Sequence, residues 1–193
     1  MISAILLAAG KSKRMGKLKQ LLPFGQSTIL EQAIDNLLGS IIDELIVVVG
    51  YKAEEIIKKI ATKPVKLIKN PNYEQGMSTS IIAGLNLVDD RTHTIMVALG
   101  DQPLIDSQTI NILAKEFRTH DKGIAIPTYR GRRGHPVILA VKYKEELLEL
   151  KGDTGGRQIL EDHLRDILEV AVSCEGVCVD IDTVDGYYML GKS

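Results

Sequence analysis

The chain has 193 residues, of which 45% are hydrophobic and 25% are charged, and this composition excludes a disordered or fibrous protein. Its length predicts a single domain over residues 1–193, because domains usually have roughly 100–200 residues. With 24 basic and 25 acidic residues, the formal net charge is −1. This balance excludes a general electrostatic attraction to nucleic acid or to an anionic membrane.

Short apolar runs alternate with helical patterns along the chain. Strands are predicted where nearly every residue is apolar, at Ala4–Ala9, Leu45–Val49, Val65–Ile68, Ile95–Leu99, Gly123–Ile126, Val137–Val141 and Val177–Ile181. Helices are predicted where apolar residues recur at helical spacing, at Thr28–Leu38, Ala53–Ile60, Ser80–Val88, Asp106–Phe117 and Gly156–Leu168. The alternation predicts an α/β fold, a Rossmann-like three-layer sandwich with a mostly parallel sheet. Such sheets bind ligands at the carboxyl ends of their strands.

The apolar segments and the cysteines bear on the cellular compartment. No apolar run approaches the roughly 20 residues that span a bilayer. The apolar stretch Ile2–Ala9 precedes the basic residues at 11–14, which is the reverse of the order in a signal peptide. Cys174 and Cys178 are too few for a disulfide framework or a structural zinc site. We therefore expect a cytoplasmic protein without a membrane partner.

A glycine-rich basic loop, with the sequence LAAGKSKRMGKLK over residues 7–19, follows the first predicted strand. Its backbone N–H groups and cations can be directed at phosphate oxygens. It is not a Walker A loop, because five residues separate Gly10 from Gly16 and Leu18 stands where Ser or Thr would bind magnesium. On charge alone, a solvated basic turn explains the loop equally well.

Carboxylates follow two other predicted strands. Asp101 lies in the sequence GDQP after the strand Ile95–Leu99, where it is well placed to hold Mg²⁺, although such a sequence also forms ordinary turns. Asp180 and Asp182 lie two residues apart at the end of the last predicted strand. On a strand they would point to the same side, so one can bind a metal while the other supports it.

Residues 7–25, LAAGKSKRMGKLKQLLPFG, resemble the N-terminal signature of the MobA-like nucleotidyltransferases, L-A-[AG]-G-x-S-x-R-M-G-x-x-K. Further segments similar to the family follow in the expected order as far as Thr183. The resemblance implies transfer of CMP from CTP to molybdopterin, release of pyrophosphate, Mg²⁺ as cofactor, and a molybdoenzyme or its chaperone as a transient partner. The Ala9 position implies CTP, because relatives that transfer GMP have L-A-G-G there.

The same resemblance implies residue roles. It assigns catalysis to Arg14, Lys19 and Asp101, and the metal to Asp101 and Asp182. For nucleotide binding it implies Leu7, Ala8, Ala9, Gly10, Ser12, Arg14, Met15, Gly16, Lys19, Asn70, Gly76, Ser78, Ser80 and Gly100. For acceptor binding it implies Gln102, Pro103, Gly134, His135, Pro136, Asp153, Gly155, Gly156, Arg157 and Asp180.

Alternatives to these roles stay open at this point. Ser78 and Ser80 can also cap the following helix, and His135 by itself is an ordinary turn histidine. The acceptor can be a sugar phosphate, a phospholactate or a methylerythritol phosphate, and the donor can be GTP. A non-catalytic nucleotide-binding or chaperone module is a more distant alternative, against which the presence of Asp101 and Asp182 counts.

Overall fold

The structure, a computed structural model, describes residues 1–12, 15–153, 155–183 and 187–188. Its strands are β1 (Ile2–Ala8), β2 (Pro23–Phe24), β3 (Ser27–Thr28), β4 (Glu44–Val49), β5 (Lys66–Lys69), β6 (Thr94–Leu99), β7 (Ile124–Tyr129), β8 (Arg132–Arg133), β9 (Val137–Ala140) and β10 (Ile167–Ala171). Its helices are α1 (Ile29–Leu38), α2 (Ala53–Lys59), α3 (Met77–Leu85), α4 (Ser107–Thr119), α5 (Lys144–Leu148) and α6 (Arg157–Asp162).

The central sheet has eight strands in the order β10–β7–β9–β6–β1–β4–β5, with β8 paired to β7. Strand β1 is parallel to both of its neighbours, β4 and β6, while β9 is antiparallel to β6 and β7. Strands β2 and β3 form a separate small hairpin. The predicted α/β fold with a mostly parallel sheet is confirmed.

Helices cover both faces of this sheet because its central strands are apolar on both sides. Ala4 and Leu6 of β1 pack in a core cluster with residues of α1, α2 and α4. Ile5, between them, packs in a second cluster with residues of α3, α5 and α6. Alternate residues of a strand point to opposite faces, so β1 supplies both cores. The result is the three-layer arrangement that positions loops at the carboxyl ends of the strands.

Helix α1 begins with a capping box. The Thr28 hydroxyl accepts a hydrogen bond from the N–H of Glu31 (3.3 Å), and the Glu31 carboxylate accepts one from the N–H of Thr28 (3.0 Å). Two N–H groups that the helix leaves unpaired are thereby satisfied.

Thr28→Ala is expected to lower the free energy of unfolding by about 1 kcal/mol, because it removes the hydroxyl that caps α1. Urea denaturation followed by circular dichroism measures the change. Thr28→Ser keeps the hydroxyl and should retain most of the stability. An equal loss in both variants would assign the effect to the lost methyl group.

Two predicted elements are wrong. The predicted helix Gly156–Leu168 ends at Asp162, and the chain then enters strand β10 at Ile167. The predicted strand Val177–Ile181 begins instead as a short 3₁₀ helix, Glu175–Cys178. Its backbone groups bond to loops rather than to a neighbouring strand: the Val177 carbonyl accepts the N–H of His135 (2.9 Å).

None of the helices within the described ranges has the length and apolar character that crossing a membrane requires.

Candidate active site

A cleft of about 570 Å³ opens at the carboxyl ends of β1 and β5. Four of the residues predicted to bind nucleotide line it, together with one predicted metal ligand and the predicted acceptor residue Asp153. The lining residues are Gly10, Lys11, Ser12, Lys19, Tyr73, Glu74, Gln75, Gly76, Asp153 and Asp182. The cleft lies where a parallel sheet is expected to bind its ligand.

A second hollow of about 540 Å³ lies at the amino ends of β1, β4 and β5. Its three basic side chains all form ion pairs, joining Lys63 to Asp35, Lys66 to Glu44 and Arg91 to Asp89. The lysines of the first cleft are ion-paired as well, Lys11 with Glu74 and Lys19 with Asp101 and Asp182. The first cleft is the better candidate because it lies at the carboxyl ends of the strands.

The loop after β1 is folded around the buried side chain of Gln20. The amide Nε2 of Gln20 donates to the carbonyls of Ala8 (3.4 Å) and Gly10 (3.2 Å), and its Oε1 accepts from the Ser12 hydroxyl (3.2 Å). The same hydroxyl accepts the N–H of Lys19 (3.2 Å). These bonds fix the backbone of Lys19 beside the end of β1. Sequence reasoning missed Gln20, since nothing in the local pattern marks it as buried.

The Lys19 ammonium lies between two carboxylates. Its Nζ donates to Oδ2 of Asp101 (2.5 Å) and to Oδ1 of Asp182 (2.6 Å). The side chains are 11% exposed for Lys19, 19% for Asp101 and 39% for Asp182, so this centre is largely shielded from water at its inner side. Two of the three residues predicted to be catalytic are therefore in direct contact; the third, Arg14, lies outside the described residues.

Burial and the charge of the ion-pair partners shift the pKa values of Lys19 and Asp101 in opposite directions. Burial lowers the pKa of Lys19, but Asp101 and Asp182 together outweigh it and raise that pKa above its usual value. Burial also raises the pKa of Asp101, and the nearby carboxylates of Asp180 and Asp182 add to the increase despite the attraction of Lys19. One ammonium thus lies between the carboxylates of Asp101 and Asp182, with the Asp180 carboxylate nearby.

Backbone contacts bring the two carboxylates together. The N–H of Gly100 donates to the carbonyl of Leu7 (2.9 Å), which holds the start of the Asp101 loop against β1. A Cβ on Gly100 would lie 3.1 Å from that carbonyl oxygen, so a larger residue would push the loop away. The N–H of Ile181 donates to the carbonyl of Asp101 (3.1 Å), which places Asp182 next to Asp101.

Asp180 takes a different partner from Asp182. Its Oδ1 accepts a hydrogen bond from Nε2 of Gln102 (2.5 Å), and the same amide reaches the carbonyl of Val177 (3.4 Å). The segment is not a strand, so strand alternation does not explain the placement of the two carboxylates, although both lie near Asp101. Gln102 is thus hydrogen-bonded to Asp180, whereas Lys19 is hydrogen-bonded to Asp182.

Gln102→Leu is expected to lower the free energy of unfolding by about 1–3 kcal/mol, because Asp180 and the Val177 carbonyl lose their buried donor. Chemical denaturation measures the loss. Gln75→Leu provides the matched control, since Gln75 is exposed and its removal should change stability little. Equal stability of the two variants would show that the Gln102 amide does not hold this segment.

The residues predicted to bind nucleotide are divided between the cleft and the interior. Gly10, Ser12, Lys19 and Gly76 line the cleft. Of the other predicted residues that the structure describes, Leu7 is partly buried and Gly16 is exposed. The buried ones are Ala8, Ala9, Met15, Asn70, Ser78, Ser80 and Gly100.

Helix α3 begins at Met77, earlier than predicted, so Ser78 and Ser80 lie in its first turn and not at its cap. Nδ2 of Asn70 donates to the hydroxyl of Ser80 (2.9 Å), and both side chains are buried. The hydroxyl of Ser78 is buried without a hydrogen-bond partner among the described residues. These side chains hold the base of the helix.

Asp153 caps α3 from outside the helix. Its Oδ1 accepts the N–H of Met77 (2.9 Å), and the carbonyl of Gly152 accepts the N–H of Ser78 (3.2 Å). A Cβ on Gly76 would lie 2.4 Å from the Gly152 carbonyl oxygen, so only glycine permits this approach. The predicted acceptor residue Asp153 therefore forms one wall of the cleft.

Other predicted acceptor residues lie beside Asp101 or farther along the chain. Burial lowers the pKa of the His135 imidazole, and Asp180 and Asp101 partly offset this effect. A Cβ on Gly134 would lie 2.1 Å from the Val177 carbonyl oxygen, so this loop packs tightly on the segment that carries Asp180. Pro103 and Pro136 are buried, whereas Gly155, Gly156 and Arg157 lead into α6.

Asp101 and Asp182 form a donor set suited to a hard divalent cation. One oxygen of each carboxylate lies within 2.6 Å of the same nitrogen, so both can face one cation. In the described part of the chain, no group of three or more His, Cys, Asp or Glu side chains forms a ligand cluster. Mg²⁺ is commonly held by one or two carboxylates, with water and substrate phosphates completing its shell. The residues present fit that mode.

The sequence is similar to a known protein family and to characterised proteins. Residues 4–167 match the family described as "MobA-like NTP transferase domain". The molybdenum cofactor cytidylyltransferase of Escherichia coli (strain K12) is 32% identical over 187 residues, which cover 96% of this chain and 93% of the relative. The nicotine blue oxidoreductase of Paenarthrobacter nicotinovorans is 30% identical over 200 aligned residues, covering 98% of this chain and 96% of that one.

Two solved structures are similar in fold to this protein over its full length. The crystal structure of Rv0371c from Mycobacterium tuberculosis H37Rv has a TM-score of 0.90 at 30% identity, covering 100% of this chain and 97% of that chain. The structure of Rv0371c in complex with manganese has a TM-score of 0.85 at 28% identity, covering 100% and 98% of the two chains. The two curated relatives have names that denote different reactions, so the chemistry must be argued from the site.

Proposed function

The chain belongs to the MobA-like NTP transferase family, and we propose that it transfers CMP from CTP to molybdopterin with release of pyrophosphate. The observation that carries the proposal is the centre formed by Lys19, Asp101 and Asp182 at the edge of the cleft. Phosphoryl and nucleotidyl transfer need positioning and charge neutralisation more than covalent participation by the protein. This centre supplies both.

The triphosphate fits the loop after β1. Gly10, Lys11, Ser12 and Lys19 line the cleft, where Lys11 pairs with Glu74 and Lys19 pairs with Asp101 and Asp182. A short glycine-containing loop of this kind forms hydrogen bonds to phosphate oxygens through its backbone N–H groups. We assign the β- and γ-phosphates to this loop, together with Arg14 on the basis of the family signature, and the α- and β-phosphates to Lys19.

Asp101 and Asp182 are the residues that would hold Mg²⁺, which when bound neutralises charge on the nucleotide phosphates. The manganese complex of Rv0371c supports a divalent cation in a protein of this fold. The chain's own residues orient the reactants: the acceptor phosphate oxygen attacks the α-phosphorus, and the bond to the bridging oxygen breaks as pyrophosphate leaves with that electron pair. No general base is required, because a phosphate nucleophile is already ionised at neutral pH.

The acceptor side is assigned to the wall opposite the triphosphate. Asp153 lines the cleft, and Gln102, Asp180 and His135 lie beside Asp101. The near full-length similarity to the E. coli molybdenum cofactor cytidylyltransferase supports molybdopterin as the acceptor.

The choice of base is assigned to Ala9. Ala9 is 6% exposed, and a Cβ on Gly50 would lie 2.9 Å from the Ala9 Cβ and 2.7 Å from the Cβ of Tyr73, a residue of the cleft lining. Because Ala9 and Tyr73 both adjoin Gly50, we assign the effect of the methyl group on base choice to the packing around Gly50. Ala9→Gly should reduce the preference for CTP over GTP, measured as the ratio of the two kcat/KM values. An unchanged ratio would exclude this methyl group as the determinant.

The proposal is tested by incubating the protein with Mg²⁺, molybdopterin (with and without molybdenum) and each nucleoside triphosphate separately, while pyrophosphate is measured. Release with CTP alone, and only with the pterin, is the expected result. Release with GTP would retain the fold assignment and contradict the assignment of Ala9. Binding of CTP without release would contradict molybdopterin as acceptor, and phosphosugars and methylerythritol phosphate would then be tested.

A further inference from the structure

The Asp101–Asp182 pair already holds a cation that belongs to the chain. Nζ of Lys19 is within hydrogen-bond distance of both carboxylates, at 2.5 and 2.6 Å, and its side chain is only 11% exposed. These are the same two carboxylates to which the proposed function assigns the metal. Lys19 therefore acts as a counter-ion to both carboxylates.

Electrostatics prevents the ammonium and a divalent cation from sharing this position. In the metal-free protein one positive charge lies between two negative ones, which relieves the repulsion of two partly buried carboxylates. A divalent cation on the same oxygens would place two cations in contact, and their repulsion is strong where water is largely excluded. A divalent cation that takes the two oxygens bonded to Lys19 therefore displaces the ammonium.

The side chain of Lys19 can leave without disturbing the backbone. The Lys19 N–H is held by the Ser12 hydroxyl (3.2 Å), and the adjacent Gln20 is buried and bonded to the end of β1. The ammonium is carried on a flexible four-carbon stem. Lys19 also lines the cleft, so rotation of that stem moves its charge toward the space assigned to the phosphates.

We propose, on the basis of the function above, that Lys19 and the divalent cation bind the Asp101–Asp182 pair in alternation, and that nucleotide phosphates receive the ammonium when the metal displaces it. The metal affinity of the free protein is then low, because the metal must expel a resident cation. A bound triphosphate raises that affinity, since it gives the displaced ammonium a new anionic partner. By linkage, the metal strengthens triphosphate binding by the same factor.

The direct test is Mn²⁺ binding to Lys19→Met, measured by electron paramagnetic resonance on metal-free protein without nucleotide. Methionine has similar length and no charge, so the variant is expected to bind Mn²⁺ at least about tenfold more tightly than the wild type. Lys17→Met is the matched control, because Lys17 is exposed and lies two positions away. Equal or weaker binding by Lys19→Met would overturn the proposal.

Two further measurements test the proposal even if Lys19→Met does not fold. Lys19→Arg keeps the charge and should bind Mn²⁺ as weakly as the wild type; tight binding would contradict a charge-based competition. In the wild type, Mg²⁺ titration followed by nuclear magnetic resonance of lysine side chains should shift the Lys19 ammonium signal selectively. A signal unchanged at saturating Mg²⁺ would overturn the proposal without any substitution.

Failure of this inference and failure of the proposed function are distinguishable. Mn²⁺ affinity is measured without CTP or molybdopterin, so tighter binding by Lys19→Met supports the exchange even if no pyrophosphate is released. Conversely, normal pyrophosphate release by the wild type combined with equal Mn²⁺ affinities would overturn the exchange and leave the transferase function intact.

Discussion

Asp101→Asn is expected to lower kcat for pyrophosphate release by about 10³-fold or more, because it removes one of two carboxylates assigned to the metal and leaves Lys19 with one anionic partner. Steady-state assays at saturating CTP and Mg²⁺ measure the effect. The amide has nearly the same shape as the carboxylate, so the circular dichroism spectrum should remain unchanged.

Asp90→Asn is the control for Asp101→Asn, since Asp90 is exposed and lies in the turn before β6. It makes the same chemical change away from the cleft and should retain full activity. Turnover retained by Asp101→Asn in the presence of magnesium would remove Asp101 from the metal site.

Lys19→Ala is expected to lower kcat by about 10²–10³-fold and to raise the KM for CTP much less. Charge builds on the pyrophosphate as it leaves, so an ammonium directed at the α- and β-phosphates stabilises the transition state more than bound CTP. Kinetics at varied CTP concentrations separate the two parameters. If only KM changes, Lys19 contributes uniform binding and no specific stabilisation of the transition state.

The central strands were predictable because burial on both faces of a parallel sheet leaves a continuous apolar signal. Strands β1, β4, β6 and β9 fall within two residues of their predicted bounds. The segments after Gly156 were not predictable in the same way. Leu164 and Leu168 continue a helical spacing past Asp162, but pairing of β10 with β7 takes this chain into the sheet. Only the tertiary partner decides between these two structures.

The site was predictable to the level of its charged residues. The family resemblance assigned the metal to Asp101 and Asp182 and assigned catalysis and nucleotide binding to Lys19, and the structure brings these three side chains into contact. It did not indicate that Lys19 itself bridges the carboxylates. The contacts of Gln20 and Gln102 could not be foreseen, because a buried amide is identified by the groups around it and not by its neighbours in the chain.

The hydrogen bond from the Ile181 N–H to the Asp101 carbonyl joins the segment after β10 to the candidate active site. Asp182 follows β10, the last strand in the described part of the chain, so the whole sheet is synthesised before this carboxylate exists. A chain that ended at Ala171 would contain every described sheet strand, Lys19 and Asp101, but it would lack Asp182. The Asp101–Asp182 pair therefore depends on a segment that lies beyond the described sheet strands.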